Sequence, residues 1–259
     1  MEEEQERGPR GIQSIEVGGQ LLLALAHQGR PLALKDLARA AEMPPAKAHP
    51  YLVSFIKLGL VEQEAASGRY GLGPLALQLG LISLQQYEPV RLATPRIEEL
   101  AAELGHTMAI AVWGNRGPTI VRVAEAPSPV HISMRHGTVM SLRGTASGRL
   151  FAAYLPADVV AAAFAAEAAL DPAALPRDAE LDAWLAEVRR TGIASARDGA
   201  VVGVSAWAAP VFDDRGRIVL SLTAIGPSGS FDLDPTGQMA TALRRAGEDL
   251  SRQLGWRQD

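Results

Sequence analysis

The stretch from Leu34 to Gly73, LKDLARAAEMPPAKAHPYLVSFIKLGLVEQEAASGRYGLG, holds the pattern that decides the fold. Leu34, Leu37, Ala38 and Ala41 recur at i, i+3, i+4, i+7, the spacing of a short amphipathic helix. Met43-Pro44-Pro45 makes a turn, and Pro45 suits the first position of a following helix, where its missing N–H is no loss. That second helix carries Ala48, Leu52, Phe55 and Ile56 inward and stops at Gly59, a natural C′ residue. Leu60 to Glu64, the turn Ala65-Ala66-Ser67-Gly68 and Arg69 to Leu72 then read as a small hairpin. Upstream, Ser14 is placed to cap a helix with Ile15, Leu21, Leu22 and Leu25 on one face, ending before Gly29. Gly18-Gly19 lies inside that helix and costs it about 1 kcal/mol per glycine relative to alanine.

Three helices followed by a hairpin are the layout of a winged helix-turn-helix. Its second helix is braced so that its N-terminal half enters the major groove, and its hairpin touches the phosphate backbone. On the outward face this assigns Lys47, His49, Tyr51 and Lys57 to the groove, with Lys35 and Arg69 on phosphates. Residues 8–80 hold seven Lys/Arg against five acids, whereas the whole chain has a net charge of −4, so any attraction for a polyanion is local to this face. Pro50 would fall at the sixth position of the second helix, where its absent N–H should have bonded the Ala46 carbonyl. The helix is therefore expected to kink at 49–50 or to start again at Pro50.

Working outward, 259 residues with 47% hydrophobic content suit two packed domains rather than one. The absence of cysteine excludes disulfides, thiolate nucleophiles and cysteine-held metals, and fits a reducing, cytoplasmic setting. Apolar runs such as Leu21 to Ala26 and Val159 to Ala166 are far shorter than the roughly 20 residues that a membrane span needs. Residues 1–10 read as a disordered acidic tail and 74–88 as an apolar linker helix. After Gly105 the hydrophobic period changes to two. His106 to Trp113 and Thr119 to Ala126 form one hairpin around Gly114–Gly117, and Val130 to Met134 a further strand. Thr145 caps a helix through Tyr154, alanine-rich helices follow near 157–169 and 178–190, and Val201 to Phe212 with Ile218 to Ile225 form a second hairpin. A last helix runs from about Pro235 to Leu254. The result is an α+β chain with a mainly antiparallel sheet in its second domain. The five histidines include no pair at metal-ligand spacing on one helix, and no nucleophile or phosphate-loop motif stands in its required context. No catalytic residue, metal or cofactor is assigned.

Residues 10–73, RGIQSIEVGGQLLLALAHQGRPLALKDLARAAEMPPAKAHPYLVSFIKLGLVEQEAASGRYGLG, resemble the DNA-binding domain of the IclR family of bacterial transcription regulators. GHTMAIAVWGNRGPTIVRV (105–123), RGTASGRLFAAYLP (143–156) and RRTGIASARDGAVVGVSAWAAPVFDDRGRIVLSLTAIGP (189–227) resemble its effector-binding domain, in the expected order. The resemblance implies a winged helix-turn-helix over 11–73, the linker helix 74–88, and a GAF-like effector-binding and oligomerisation domain over 89–259. It implies a ligand-responsive regulator that binds operator DNA, assembles as a homodimer or dimer of dimers, and has no membrane partner. The alternative is a metabolite sensor whose winged helix no longer binds DNA.

By position, the family resemblance places effector contacts at Ala146, Ser147, Ala196, Ala206, Thr223 and Ile225. Where the family commonly has polar, acidic or thiol side chains, this chain has Ala196, Ala206 and Ile225. An arginine after the recognition-helix histidine is replaced by Pro50, and the usual Arg-Ala-Leu of the first helix by Val17-Gly18-Gly19. Met134 and Trp207 lie near enough in sequence to line the vacated volume, and Arg135 to meet an anion. The expected effector is thus an aromatic or otherwise apolar carboxylic acid, its anionic end at the helix N-terminus after Thr145.

Overall fold

The computed structural model describes residues 11–86, 88–125, 134–170 and 178–257. The chain divides into two compact units, which meet in sequence between Gln86 and Tyr87. The N-terminal unit contains α1 (Gln13–Gln28), α2 (Leu34–Ala40), α3 (Pro45–Leu58), β1 (Val61–Gln63), β2 (Tyr70–Leu72) and α4 (Pro74–Gln86). Leu21 and Leu25 of α1, Leu37 of α2 and Leu52 of α3 close over Val61 and Tyr70 to form its core. Leu32 exchanges both backbone hydrogen bonds with Tyr70, which ties the hairpin to the α1–α2 connection. Leu75 N donates to Gly59 O at 2.9 Å, so the start of α4 is held against the end of α3.

Several local expectations change. α1 begins at Gln13 with Ile12 at its N-cap and no side-chain cap, so Ser14 does not cap it. Ile15 is 68% exposed, because the contact of α1 with α3 starts a turn later, at Gly18. Ile56 is 37% exposed, since it lies about 80° around α3 from Ala48 and so at the margin of the buried face. Pro50 neither restarts nor breaks α3: the helix is continuous from Pro45 to Leu58. Pro50 and Ala46 are both exposed, so solvent reaches the carbonyl that the proline cannot serve. The Ser54 hydroxyl donates to the Pro50 carbonyl at 3.0 Å.

The C-terminal unit contains α5 (Glu88–Leu104), β3 (Thr107–Gly114), β4 (Gly117–Ala124), α6 (Ala146–Tyr154), α7 (Ala157–Leu170), α8 (Ala179–Thr191), β5 (Ala194–Arg197), β6 (Val204–Phe212), β7 (Ile218–Pro227) and α9 (Gln238–Gln253). The strands form one antiparallel sheet in the order β4-β3-β7-β6-β5. On one face α6 buries Leu150 and Phe151 against Ala194, Ala196 and Ala208. On the other face α9 approaches so closely that a Cβ at Gly247 would lie 2.5 Å from the Pro210 carbonyl oxygen.

The expected strand at 130–134 falls mostly on 130–133, outside the described residues, and Met134 is not in a strand. The pairing to β4 is made instead just downstream: Ile120 N donates to Thr138 O at 3.0 Å and Met140 N to Pro118 O at 2.7 Å. Val201 to Gly203 turn rather than extend, and α9 starts at Gln238, after an Asp234 turn in which Thr236 N donates to the aspartate at 2.8 Å.

Candidate functional site

In the N-terminal unit Lys47, His49 and Lys57 are exposed on α3, Lys35 is exposed on α2, and Arg69 is exposed beside Gly68 of the hairpin turn. Gly68 has a φ of 67°, and its carbonyl accepts from the Gln63 side-chain amide at 2.9 Å, which fixes the shape of the turn. Tyr51 is corrected from a freely projecting residue to a half-buried one. Its ring packs on α1, 2.8 Å from where a Cβ at Gly18 would stand. Gly18 therefore makes room for Tyr51, while nothing lies within 4 Å of a Cβ at Gly19 and the structure gives no reason for that glycine.

In the C-terminal unit, strand register builds a cavity. Ala196 of β5 pairs with Ala206 of β6, and Ala206 pairs with Ile225 of β7, so the three sit in one row on the α6 face of the sheet. Thr145 caps α6: its hydroxyl accepts from Gly148 N at 2.9 Å and donates to Ser141 O at 2.7 Å. The first-turn amides of Ala146 and Ser147 have no acceptor within the helix, and both residues line the cavity over that row. It encloses about 450 Å³, within the usual range for small-molecule sites.

Eight of the nine expected contacts line this space: Met134, Arg135, Ala146, Ser147, Ala196, Ala206, Thr223 and Ile225. Trp207 does not. Its neighbours Val204 and Ala206 face the cavity, so strand alternation turns Trp207 to the opposite face, where its indole donates to Asp232 O at 3.0 Å. Sequence reasoning missed Val139, Met140 and Val201, which also line it from irregular segments without periodicity. The Ser147 and Thr223 hydroxyls bond each other at 2.8 Å in the cavity wall, and Thr223 also meets the Ser221 hydroxyl at 3.3 Å.

The walls are tied from behind. Arg149 donates from Nε to Arg143 O and from Nη1 to Ser195 O, both at 2.8 Å, joining the loop before α6 to β5. Its guanidinium lies 3.8 Å over the Trp184 ring. Burial, helped by the nearby Arg143 charge, brings its pKa down to about 10, so it stays protonated at neutral pH. Arg143 meets Asp178 at 2.7 Å and Glu180 at 2.8 Å, and its hydrogen bond holds the Asp178 carboxyl below the usual range. Among the described residues that line the cavity, Arg135 carries the one charged side chain, and no cluster of metal-ligating residues occurs. Among the described residues the space offers helix N-terminal amides at one end and mainly apolar walls elsewhere.

A winged-helix module joined to a domain with a small-molecule cavity defines a ligand-sensing transcription regulator. The family described as "Bacterial transcriptional regulator IclR C-terminal" matches residues 82–252, and the IclR helix-turn-helix domain matches residues 14–65. The chain belongs to the IclR family of transcriptional regulators. It is 31% identical over 248 residues to the glycerol operon regulatory protein of Streptomyces griseus, covering 95% of this chain and 98% of the relative. The crystal structure of Pseudomonas aeruginosa HmgR is 35% identical, with a TM-score of 0.60 and coverage of 95% and 99%. An IclR homolog from Microbacterium hydrocarbonoxydans, solved in complex with 4-hydroxybenzoate, shares the fold at 18% identity, with a TM-score of 0.72 and coverage of 93% and 98%. The chain is a transcription regulator rather than an enzyme.

Proposed function

We propose that this regulator senses an aromatic or similarly apolar carboxylic acid and adjusts operator binding in response. The observation that carries the proposal is the composition of the cavity. Its row of Ala196, Ala206 and Ile225 offers no hydrogen bond to a compact polar ligand, while the Ala146 and Ser147 amides and Arg135 favour an anionic group. A ring on the row and a carboxylate at the α6 terminus would satisfy both walls. The acid bound by the Microbacterium hydrocarbonoxydans homolog, 4-hydroxybenzoate, has this make-up. Operator contacts are proposed for Lys47, His49 and Lys57 in the groove and for Lys35 and Arg69 on phosphates, with Tyr51 bracing α3. Calorimetry with benzoate and 4-hydroxybenzoate against pyruvate tests the ligand class. The aromatic acids should bind more tightly, and Ala206→Leu, which fills the row, should weaken them about tenfold or more. Tighter binding of pyruvate, or no effect of Ala206→Leu, would refute the assignment. Salt-dependent binding to duplex DNA separates a regulator from a sensor without an operator.

A further inference from the structure

A second cavity, enclosing about 370 Å³, lies at the far end of α6 from the first. α6 opens the first cavity with Ala146 and reaches the second with its last residue, Tyr154; β6 likewise contributes Ala206 to one and Phe212 to the other. One wall of the second cavity is aromatic. Tyr154 and Phe212 meet edge to face at 5.1 Å between centroids, and Phe212 and Trp256 lie tilted at 5.3 Å. All three are half-buried, so part of each ring remains open.

The other wall is cationic. Arg190 is answered by Glu187 at 2.8 Å. Arg189 instead gives its Nε to the Ala153 carbonyl at 2.7 Å, and Arg244 gives an Nη to the Pro235 carbonyl at 3.2 Å. Among the described residues neither Arg189 nor Arg244 has a carboxylate within ion-pair distance, and Arg244 Nε is buried without an acceptor. Two guanidinium groups with no carboxylate in ion-pair contact among the described residues therefore border one aromatic-walled space. The acid on that wall, Glu248, opposes a highly charged ligand.

We propose that this cavity is a second small-molecule site, which takes a flat aromatic monoanion. The anionic group would sit between Arg189 and Arg244, and the ring against Phe212 and Trp256. The proposal uses none of the residues assigned to the first cavity and stands independently of it.

The test is titration of the full chain with 1-naphthoate, read by calorimetry and by tryptophan fluorescence, in the wild type and in Ala206→Leu. The leucine obstructs the first cavity alone, so saturable binding of one naphthoate per chain should persist. In that background Arg244→Gln should weaken binding about tenfold, Arg244→Lys should restore part of it, and Glu248→Gln should tighten it about threefold. Trp256→Phe should remove most of the quench. Absence of saturable binding in Ala206→Leu would overturn the proposal. So would affinities unchanged by both Arg244→Gln and Glu248→Gln. If the wild type binds a single naphthoate that ignores Ala206→Leu but responds to Arg244→Gln, the first cavity has been misassigned and the second stands.

Discussion

At the scale of single residues, contacts that read bases and contacts that hold phosphates should separate by experiment. Lys47 is exposed near the start of α3 and Arg69 on the hairpin turn. Lys47→Ala should cost about 1–3 kcal/mol more on the operator than on random duplex, whereas Arg69→Ala should weaken both alike. Fluorescence anisotropy on the two DNAs checks this, and equal losses for both variants would remove the distinction. A second residue-scale prediction concerns Glu42, whose φ of 52° lies in the left-handed region. Glu42→Gly should stabilise the N-terminal unit by about 0.5–1 kcal/mol, the relief of a strained backbone less the entropy of a freer unfolded chain; urea denaturation measures it. Individual residues were legible where a periodic element set their direction. The outward lysines of α3 follow from helical spacing, and Ala206 and Ile225 from the family motif. Tyr51 was not legible, because its direction depends on a glycine more than thirty residues earlier. Trp207 was misplaced by a single step of strand parity.

At the scale of elements, the cavity depends on how α6 and β5 are joined. Arg149→Met keeps the stem over Trp184 but removes both carbonyl bonds. It should weaken aromatic-acid binding about tenfold while leaving DNA affinity without ligand unchanged; paired calorimetry and anisotropy give the answer. The end of β7 makes a pH prediction. His106 meets Phe231 edge-on at 5.1 Å beside Gly226, and burial lowers its pKa. As pH falls below about 6.5 the unfolded chain takes up this proton before the folded one, so stability declines and levels off once the folded histidine also protonates. Thermal unfolding between pH 7.5 and 5.5 should therefore show a smaller decline in His106→Asn than in the wild type. The helices and the three hairpins of the chain were legible from period and turn residues. The 137–140 segment along β4 was not, since backbone pairing outside a regular strand leaves no alternation in sequence.

For the whole molecule, α4 leaves Leu77, Leu79, Leu81 and Ile82 exposed, by as much as 65% at Leu77, and Ile15 of α1 and the preceding Ile12 are exposed as well. Such exposed apolar surface within one unit is unusual for a monomer, and we propose that the chain pairs through it, as the two-fold reading of an operator would require. Light scattering should return at least twice the 27.4 kDa chain mass at micromolar concentration. Leu77→Glu with Leu81→Glu should shift the protein toward monomer and reduce operator affinity, with the thermal stability of the C-terminal unit unchanged. A 27.4 kDa species from the wild type would refute the assembly.

The rim of the first cavity is built where main chain crosses main chain. A Cβ at Gly148 would stand 2.0 Å from the Ser141 oxygen, and one at Gly199 2.2 Å from the Gly144 oxygen. No side chain fits at either point, so the frame is held by glycine, while Ala196, Ala206 and Ile225 meet the space with their side chains. On the effector site proposed above, descendants of such a gene would change what they detect by altering Ala196, Ala206 or Ile225 one at a time. These residues lie in the C-terminal unit and the winged helix in the N-terminal one, so a new signal would be acquired while the old control circuit is still in place.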